Sequence, residues 1–79
     1  MNNINIINHK KYSIYIFQIM NDSLLQIALL KPSDCIIKDI PLGSNIVVKT
    51  VKKINEFNIP DKTIFKNKIS KSINYLNIF

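Results

Sequence analysis

The stretch "LLQIALLKPSDCIIKDIPLGS", from Leu24 to Ser44, decides how this chain of 79 residues is interpreted. It opens on an apolar segment preceded by Ser23, a residue type that caps helix N-termini. Three residues of the segment share one face at helical spacing: Leu24, Ile27 and Ala28. Because a proline disfavours the helical conformation of the residue before it, Pro32 would end the segment. The pattern predicts a helix of about two turns, followed by a turn at Ser33 and Asp34.

The rest of the chain, from Tyr12 onward, has the composition of short β-strands separated by turns. β-Branched and aromatic residues dominate the segments, and prolines, asparagines or the single glycine lie between them. The predicted strands are 12–20, 35–40, 45–51, 54–59, 62–65 and 68–76, with turns at 21–23, 41–44 and 60–62. The predicted fold class is a small, mostly antiparallel β domain with one short helix, over residues 12–79. Residues 1–11 alternate asparagine and isoleucine and are predicted to form a flexible arm.

The predicted strand Tyr12–Met20 is apolar on both faces. Ile14 and Ile16 point to one side of it, and Tyr15 and Phe17 point to the other. A strand with one face in water would alternate polar and apolar residues, so this one should be covered on both faces. In so small a chain we expect a partner subunit to supply the second cover, as in an intertwined dimer that exchanges strands. The alternative is burial of the whole strand inside a monomer.

Chain length also favours an oligomer, and cysteine content excludes a disulfide as the stabilising element. A domain this small buries only roughly 60% of its unfolded surface, so a monomer would be marginal and an oligomer is expected. Cys35 is the only cysteine, which excludes an internal disulfide and favours a reducing compartment. Beside Ile36 and Ile37 it is predicted to be a small buried side chain rather than a reactive thiol.

The chain is basic, with a net charge of +6, and all eleven basic residues are lysines. Arginine dominates the bidentate recognition of guanine and phosphate, so a dedicated nucleic-acid surface is not favoured. Asparagine, isoleucine and lysine together make up 39 of the 79 residues, as expected when an AT-rich coding sequence drifts. No targeting peptide is evident in "MNNINIINHKK", and the polar residues between Ile14 and Leu30 argue against a membrane span.

No catalytic or metal-binding constellation is visible. The five acidic residues are spread along the chain, and neither a Cys-x-x-Cys motif nor a histidine pair occurs. His9 lies beside two lysines, where a solvated side chain is expected rather than a ligand or base. One glycine cannot form a Gly-rich phosphate loop. We therefore expect no enzyme activity, no cofactor and no metal.

The segment from Leu24 to Ile36 resembles the core "(T/S)-(I/L)-x-x-L-L-x-L-x-x-G-D-x-I" of the SpoA-type (surface presentation of antigens) domain. Flagellar motor-switch proteins of the FliN and FliM kind and the cytoplasmic ring proteins of type III secretion share this domain. The likeness extends over about residues 12–76: Cys35–Val51 is similar to the strand, Pro or Gly loop and strand that follow the core. Ser33 stands where the family has glycine, so the turn either shifts or holds a serine at positive φ.

The resemblance implies an assembly subunit of the flagellar motor switch, or C-ring, or of the type III export apparatus, with a role in bacterial motility and chemotaxis. It implies homodimers or heterodimers with other SpoA-domain ring proteins, and a cytoplasmic location peripheral to the inner membrane. The interface and shared-core residues expected on this basis are Tyr12, Ile14, Tyr15, Ile16, Phe17, Leu24, Ile27, Leu30, Ile36 and Ile46.

The alternative function is a small basic β domain that binds RNA or DNA. Such a domain needs exposed aromatic side chains interleaved with lysines on one sheet face. The residues that would supply them are Phe57, Phe65 and Tyr75 with Lys62, Lys66 and Lys68.

Overall fold

The computed structural model describes residues 2–79, and this range contains seven β-strands and no α-helix. The strands are β1 (Asn3–Asn8), β2 (Ile14–Met20), β3 (Ser23–Leu30), β4 (Cys35–Asp39), β5 (Asn45–Ile54), β6 (Phe57–Lys68) and β7 (Tyr75–Ile78). Sheet A has the strand order β4-β1-β7 and sheet B the order β3-β2-β5-β6. All neighbours are antiparallel except β1 and β7, which are parallel. The prediction of a mostly β, mostly antiparallel domain is confirmed.

The main hydrophobic core lies between the two sheets and is built largely from isoleucine. Its buried members are Ile4, Ile6, Ile14, Ile16, Ala28, Leu30, Ile40, Ile46, Val48, Ile69, Leu76 and Ile78. In β1, β2, β3, β5 and β7 the core residues are two positions apart, as the two-residue period of a strand requires. β-Branched side chains pack well on such pleated surfaces, which suits an isoleucine-rich sequence to this fold.

The predicted helix is wrong, because Ser23–Leu30 forms strand β3. Asn21 and Asp22 both have positive φ, 47° and 66°, which makes them the two-residue type I′ turn of a β-hairpin. That turn leads the chain straight back along β2, with Met20 opposite Ser23 and Ile14 opposite Leu30. A register shift between Ile16 and Phe17 accommodates one extra residue of β3 and breaks its two-residue alternation. Because of this extra residue, Leu24, Ile27 and Ala28 have the sequence spacing of a helix although they lie in a strand.

Strand β2 is covered on both faces, as predicted, but its own chain supplies both covers. Ile14 and Ile16 enter the main core, whereas Tyr15 and Phe17 form a second buried cluster with Val47 on the far side of sheet B. Val51 packs against this second cluster, and the Tyr15 hydroxyl donates a hydrogen bond of 3.1 Å to the carbonyl oxygen of Asn58. The two-faced burial of β2 therefore requires no partner subunit, and the reason given for strand exchange does not hold.

The prediction of a flexible N-terminal arm is wrong for Asn3–Asn8, which form β1, the central strand of sheet A. Met1 lies outside the described residues. Ile4, Ile6 and Asn8 point inward and are fully buried. The Asn8 side chain bridges three chain segments. Its amide nitrogen donates to the carbonyl oxygens of Tyr12, Leu30 and Lys31 at 3.0 to 3.1 Å, and its oxygen accepts from the Lys10 N–H at 2.9 Å. Asn8 thus holds the start of β2 against the end of β3.

The predicted turn at Ser33 and Asp34 is confirmed, and Ser33 has positive φ. Ser33 adopts a φ of 68°, and the Asp34 N–H donates to the Lys31 carbonyl oxygen at 3.0 Å. Pro32 before a residue with positive φ is the pattern of a type II turn. The predicted turn at 41–44 is also confirmed. Gly43 has a φ of 91°, and the Ser44 N–H donates a hydrogen bond to the carbonyl oxygen of Pro41.

The second half of the chain differs from the prediction in three places. The predicted strand 54–59 is interrupted by a second type I′ turn, at Asn55 and Glu56. The predicted turn 60–62 lies inside β6, where register shifts in the β5–β6 pairing accommodate Pro60 on an edge strand. In the predicted strand 68–76, Lys68 is the last residue of β6, residues 69–74 are irregular, and the chain becomes a strand again only at Tyr75–Ile78, which pairs with β1.

Candidate interaction surface

Most of the predicted interface residues lie inside the chain's own core. Four are buried in the main core and two more are partly buried against it: Ile14, Ile16, Leu30 and Ile46, then Ile27 and Ile36. Tyr15 and Phe17 belong to the second cluster. Tyr12 and Leu24 are exposed. The structure therefore does not bring the predicted set together as one surface, and the residues available to a partner are largely different ones.

Strand β3 forms an edge of sheet B and exposes three leucines; we call this surface the apolar edge. Leu24 and Leu25 are each 51% exposed and Leu29 is 41% exposed. The eight residues of β3 include neither a charged residue nor a proline. β2 pairs with one side of the strand, and in residues 2–79 no strand pairs with the other side. Native proteins usually protect such an edge with charge, proline or covering segments, because its free N–H and C=O groups can pair with another chain.

The other sheet edges carry the protection that the apolar edge lacks. β6, at the opposite side of sheet B, contains Pro60 and four charged residues: Asp61, Lys62, Lys66 and Lys68. β4 is five residues long and includes Lys38 and Asp39, and β7 is only four residues long. Length and charge thus limit pairing at these three edges. The absence of charge and proline from Ser23–Leu30 is visible in the sequence. Because a helix was predicted there, the segment was not recognised as an unprotected sheet edge.

The outward face of sheet A carries two exposed large side chains, Ile37 and Tyr75, among polar residues. Ile37 and Tyr75 flank Asn5 on the strands β4 and β7, and both side chains are more than half exposed. The Asn5 side-chain oxygen is buried between its neighbours without a hydrogen-bond partner. Further along, Phe79 stacks on the His9 ring with centroids 4.4 Å apart. The sequence did not indicate this face, because Asn5 lies in the segment that was predicted to be a flexible arm.

The residues proposed for nucleic-acid binding do not share a face. Phe65 packs against the main core, Phe57 lies at the turn between β5 and β6, and Tyr75 belongs to the other sheet. A stacking platform needs aromatic rings side by side along one groove. The geometry therefore gives this alternative no observation in its favour.

The chemically reactive side chains lie apart from one another. Cys35 is exposed, so the prediction that it is buried is wrong; it lies at the first position of β4, whose side chain points outward. His9 is exposed and its Nε2 lies 2.8 Å from the side-chain oxygen of Asn77. Within residues 2–79 no group of three histidine, cysteine or acidic residues is placed to hold a metal ion. A shallow depression of about 450 Å³ beside Asn2 and Asp39 holds no cluster of titratable groups.

No protein-family model matches this chain, and no curated protein or solved structure is significantly similar to it. The SpoA-type resemblance therefore stays a prediction. Residues 2–79 form no helix that would be long and apolar enough to cross a membrane.

Proposed function

We propose that this chain is an assembly subunit that associates through the apolar edge. The observation that carries the proposal is strand β3 itself: eight uncharged residues at a sheet edge, with three leucines in water. Pairing with a β-strand of another subunit would satisfy the free backbone groups of β3 and bury those leucines. A second copy of this chain is the simplest partner, because two β3 strands can pair antiparallel about a two-fold axis.

This form of dimer replaces the strand exchange expected for β2. Because both faces of β2 are buried within the chain, releasing β2 to a partner would open both hydrophobic clusters. Pairing through β3 leaves each folded chain intact. The β3 strands of the two copies then lie side by side and join the two B sheets into one. It also gives Leu24 an interface role, as expected for that residue.

The sequence resemblance gives the proposal its specific form, a subunit of a flagellar motor-switch or type III secretion ring, at the cytoplasmic face of the inner membrane. Support comes from the Lys31–Asp34 turn, strand β4, the Pro41–Ser44 turn and strand β5, which follow one another in the family's order. Ser33 at positive φ fits the position of the family glycine. Against it stands β3, where the resemblance implied a helix.

Sedimentation velocity on matched variants tests the assembly proposal. Leu25→Lys combined with Leu29→Lys adds one charge on each face of the apolar edge and should convert the dimer to a monomer with an unchanged circular dichroism spectrum. Leu42→Lys is the matched control, since Leu42 is an equally exposed leucine in the loop after β4. A monomeric parent chain, or a double variant that associates as strongly as the parent, would contradict the proposal.

The ring assignment requires a separate experiment. Co-expression with SpoA-domain ring proteins encoded in the same genome should give a complex that the Leu25→Lys, Leu29→Lys variant fails to form. If the chain self-associates but forms no such complex, the assembly function is retained and the ring assignment is wrong.

A further inference from the structure

We propose a second binding site, independent of the apolar edge: the end of the β5–β6 hairpin docks on an anionic lipid bilayer. β5 pairs with β2 only as far as Thr50, so from Val51 onward the hairpin is a two-stranded ribbon. We call the end of this ribbon, residues 52–59, the ribbon tip.

The two faces of the ribbon tip differ in what they contact. Cross-strand partners share a face, and Ile54 pairs with Phe57 while Lys52 pairs with Ile59. Since residues two apart along a strand also share a face, these four side chains lie together. The opposite face is directed toward the body of the protein, because Val51 packs on the Tyr15 cluster. The Tyr15 hydroxyl also donates to the backbone carbonyl oxygen of Asn58, which ties the ribbon to the body. The first face is therefore directed away from the rest of the chain.

The outward face is apolar and open. Phe57 is 74% exposed, Ile54 is 44% exposed and Ile59 is 37% exposed. Three large apolar side chains clustered at the end of a ribbon are a typical interaction site, unlike scattered surface hydrophobic residues.

The charge around this apolar cluster favours an anionic partner. Residues 49–68 contain six of the eleven lysines and two acids, Glu56 and Asp61, so this segment carries +4 of the net charge of +6. Lys52 lies on the same face as the cluster, opposite Ile59, where its ammonium group would reach lipid phosphates while Ile54 and Phe57 enter the acyl boundary. Nucleic acid is a poorer fit, since the tip contains no arginine and only one aromatic ring for stacking.

A single introduced tryptophan reports the site, because the chain contains none. Phe57→Trp should show a blue-shifted emission with mixed phosphatidylcholine–phosphatidylglycerol vesicles and no shift with phosphatidylcholine alone. Tyr75→Trp is the matched control, being similarly exposed but in sheet A, and its emission should stay unchanged. If Phe57→Trp does not respond to the anionic vesicles, the proposal is wrong.

Vesicle flotation with charge and size variants gives changes of opposite sign. Phe57→Ser should weaken binding about tenfold or more. Lys52→Gln should weaken it about fivefold, and Glu56→Gln should strengthen it by a similar factor. Unchanged binding by Phe57→Ser, or binding to a DNA or RNA oligonucleotide in place of vesicles, would overturn the proposal. Because Phe57→Ser should still dimerise and the Leu25→Lys, Leu29→Lys variant should still bind vesicles, failure of either proposal is recognisable separately.

Discussion

Replacing Asn8 by alanine should destabilise the fold by about 3 kcal/mol. The two amide hydrogens of Asn8 are shared among three carbonyl oxygens at 3.0 to 3.1 Å, and its oxygen accepts one backbone N–H. That makes about three full hydrogen bonds, each worth roughly 1 kcal/mol net in a protein. A domain of this size has a total stability of about 4 to 12 kcal/mol, so the loss is a large share of it.

Urea unfolding followed by far-ultraviolet circular dichroism measures this loss, with the m-value expected to stay constant. Asn8→Asp tests the physical cause, since it keeps the shape but sets a carboxylate against three carbonyl oxygens. At neutral pH, Asn8→Asp should lose more unfolding free energy, relative to the parent chain at the same pH, than Asn8→Ala does. In acid, where the new carboxyl is protonated and can donate a hydrogen bond, Asn8→Asp should lose less unfolding free energy than Asn8→Ala. Asn3→Ala, at an exposed position of the same strand, should change stability by less than about 0.5 kcal/mol.

Two results would refute this reasoning. A free energy of unfolding for Asn8→Ala within about 0.5 kcal/mol of the parent would mean that the buried amide is not needed, given the usual scatter of surface substitutions. Equal losses for Asn8→Ala and Asn8→Asp at all pH values would mean that the carbonyl cluster does not set the residue type at this position.

Three further predictions concern turn strain and the second cluster. Ser33→Gly should raise stability by about 1 kcal/mol in urea unfolding because Ser33 has positive φ, whereas Ser33→Ala, which keeps the strain, should give no gain. Glu56→Gly should raise it by a similar amount, about 1 kcal/mol, by giving the turn after Asn55 its preferred Asn-Gly sequence, and thermal melts of Glu56→Ala should show no such increase. Tyr15→Phe should cost about 1 kcal/mol, the worth of the hydrogen bond to Asn58, and an unchanged midpoint would show that packing alone holds the ribbon on the cluster.

The sequence predicted the strands well where residue type and pattern agreed. Tyr12–Met20 combined β-branched and aromatic residues with apolar groups on both faces, and the structure has β2 there, buried on both sides. The turn at Ser33 was predictable because Pro32 ends the preceding segment and is followed by two turn-forming residues, Ser33 and Asp34. In both cases local chemistry and tertiary packing favour the same answer.

The remaining differences have local causes. Short apolar segments such as Ser23–Leu30 do not distinguish helix from strand, and the register shift beside Phe17 removed the alternation that would have helped. The Asn21–Asp22 pair was the better signal, since two residues that tolerate positive φ between apolar runs predict a hairpin. Asn8 was hidden among other asparagines, because only the folded chain brings its three carbonyl partners together.

Core and interface positions could not be separated from the sequence, for a different reason. Apolar residues are needed by cores and interfaces alike, and composition does not divide them between the two. Ile16 was assigned to an interface and is fully buried, whereas Leu25 was not singled out and is half exposed. The division depends on which sheet edge is left without a neighbour, and this is a property of strand order rather than of any one segment.

The parallel pairing of β1 with β7 sets the order in which the chain can fold. Asn5 lies beside Tyr75, whereas the two hairpins with type I′ turns pair residues close in sequence. Loop closure over so long a distance is slow, so the hairpins should form while the polypeptide is still leaving the ribosome, and β7 can complete sheet A only after residue 78 has emerged. Until then Ile4 and Ile6 lack the cover that Leu76 and Ile78 give them in the core, and this nascent stage is when a chaperone would be needed most.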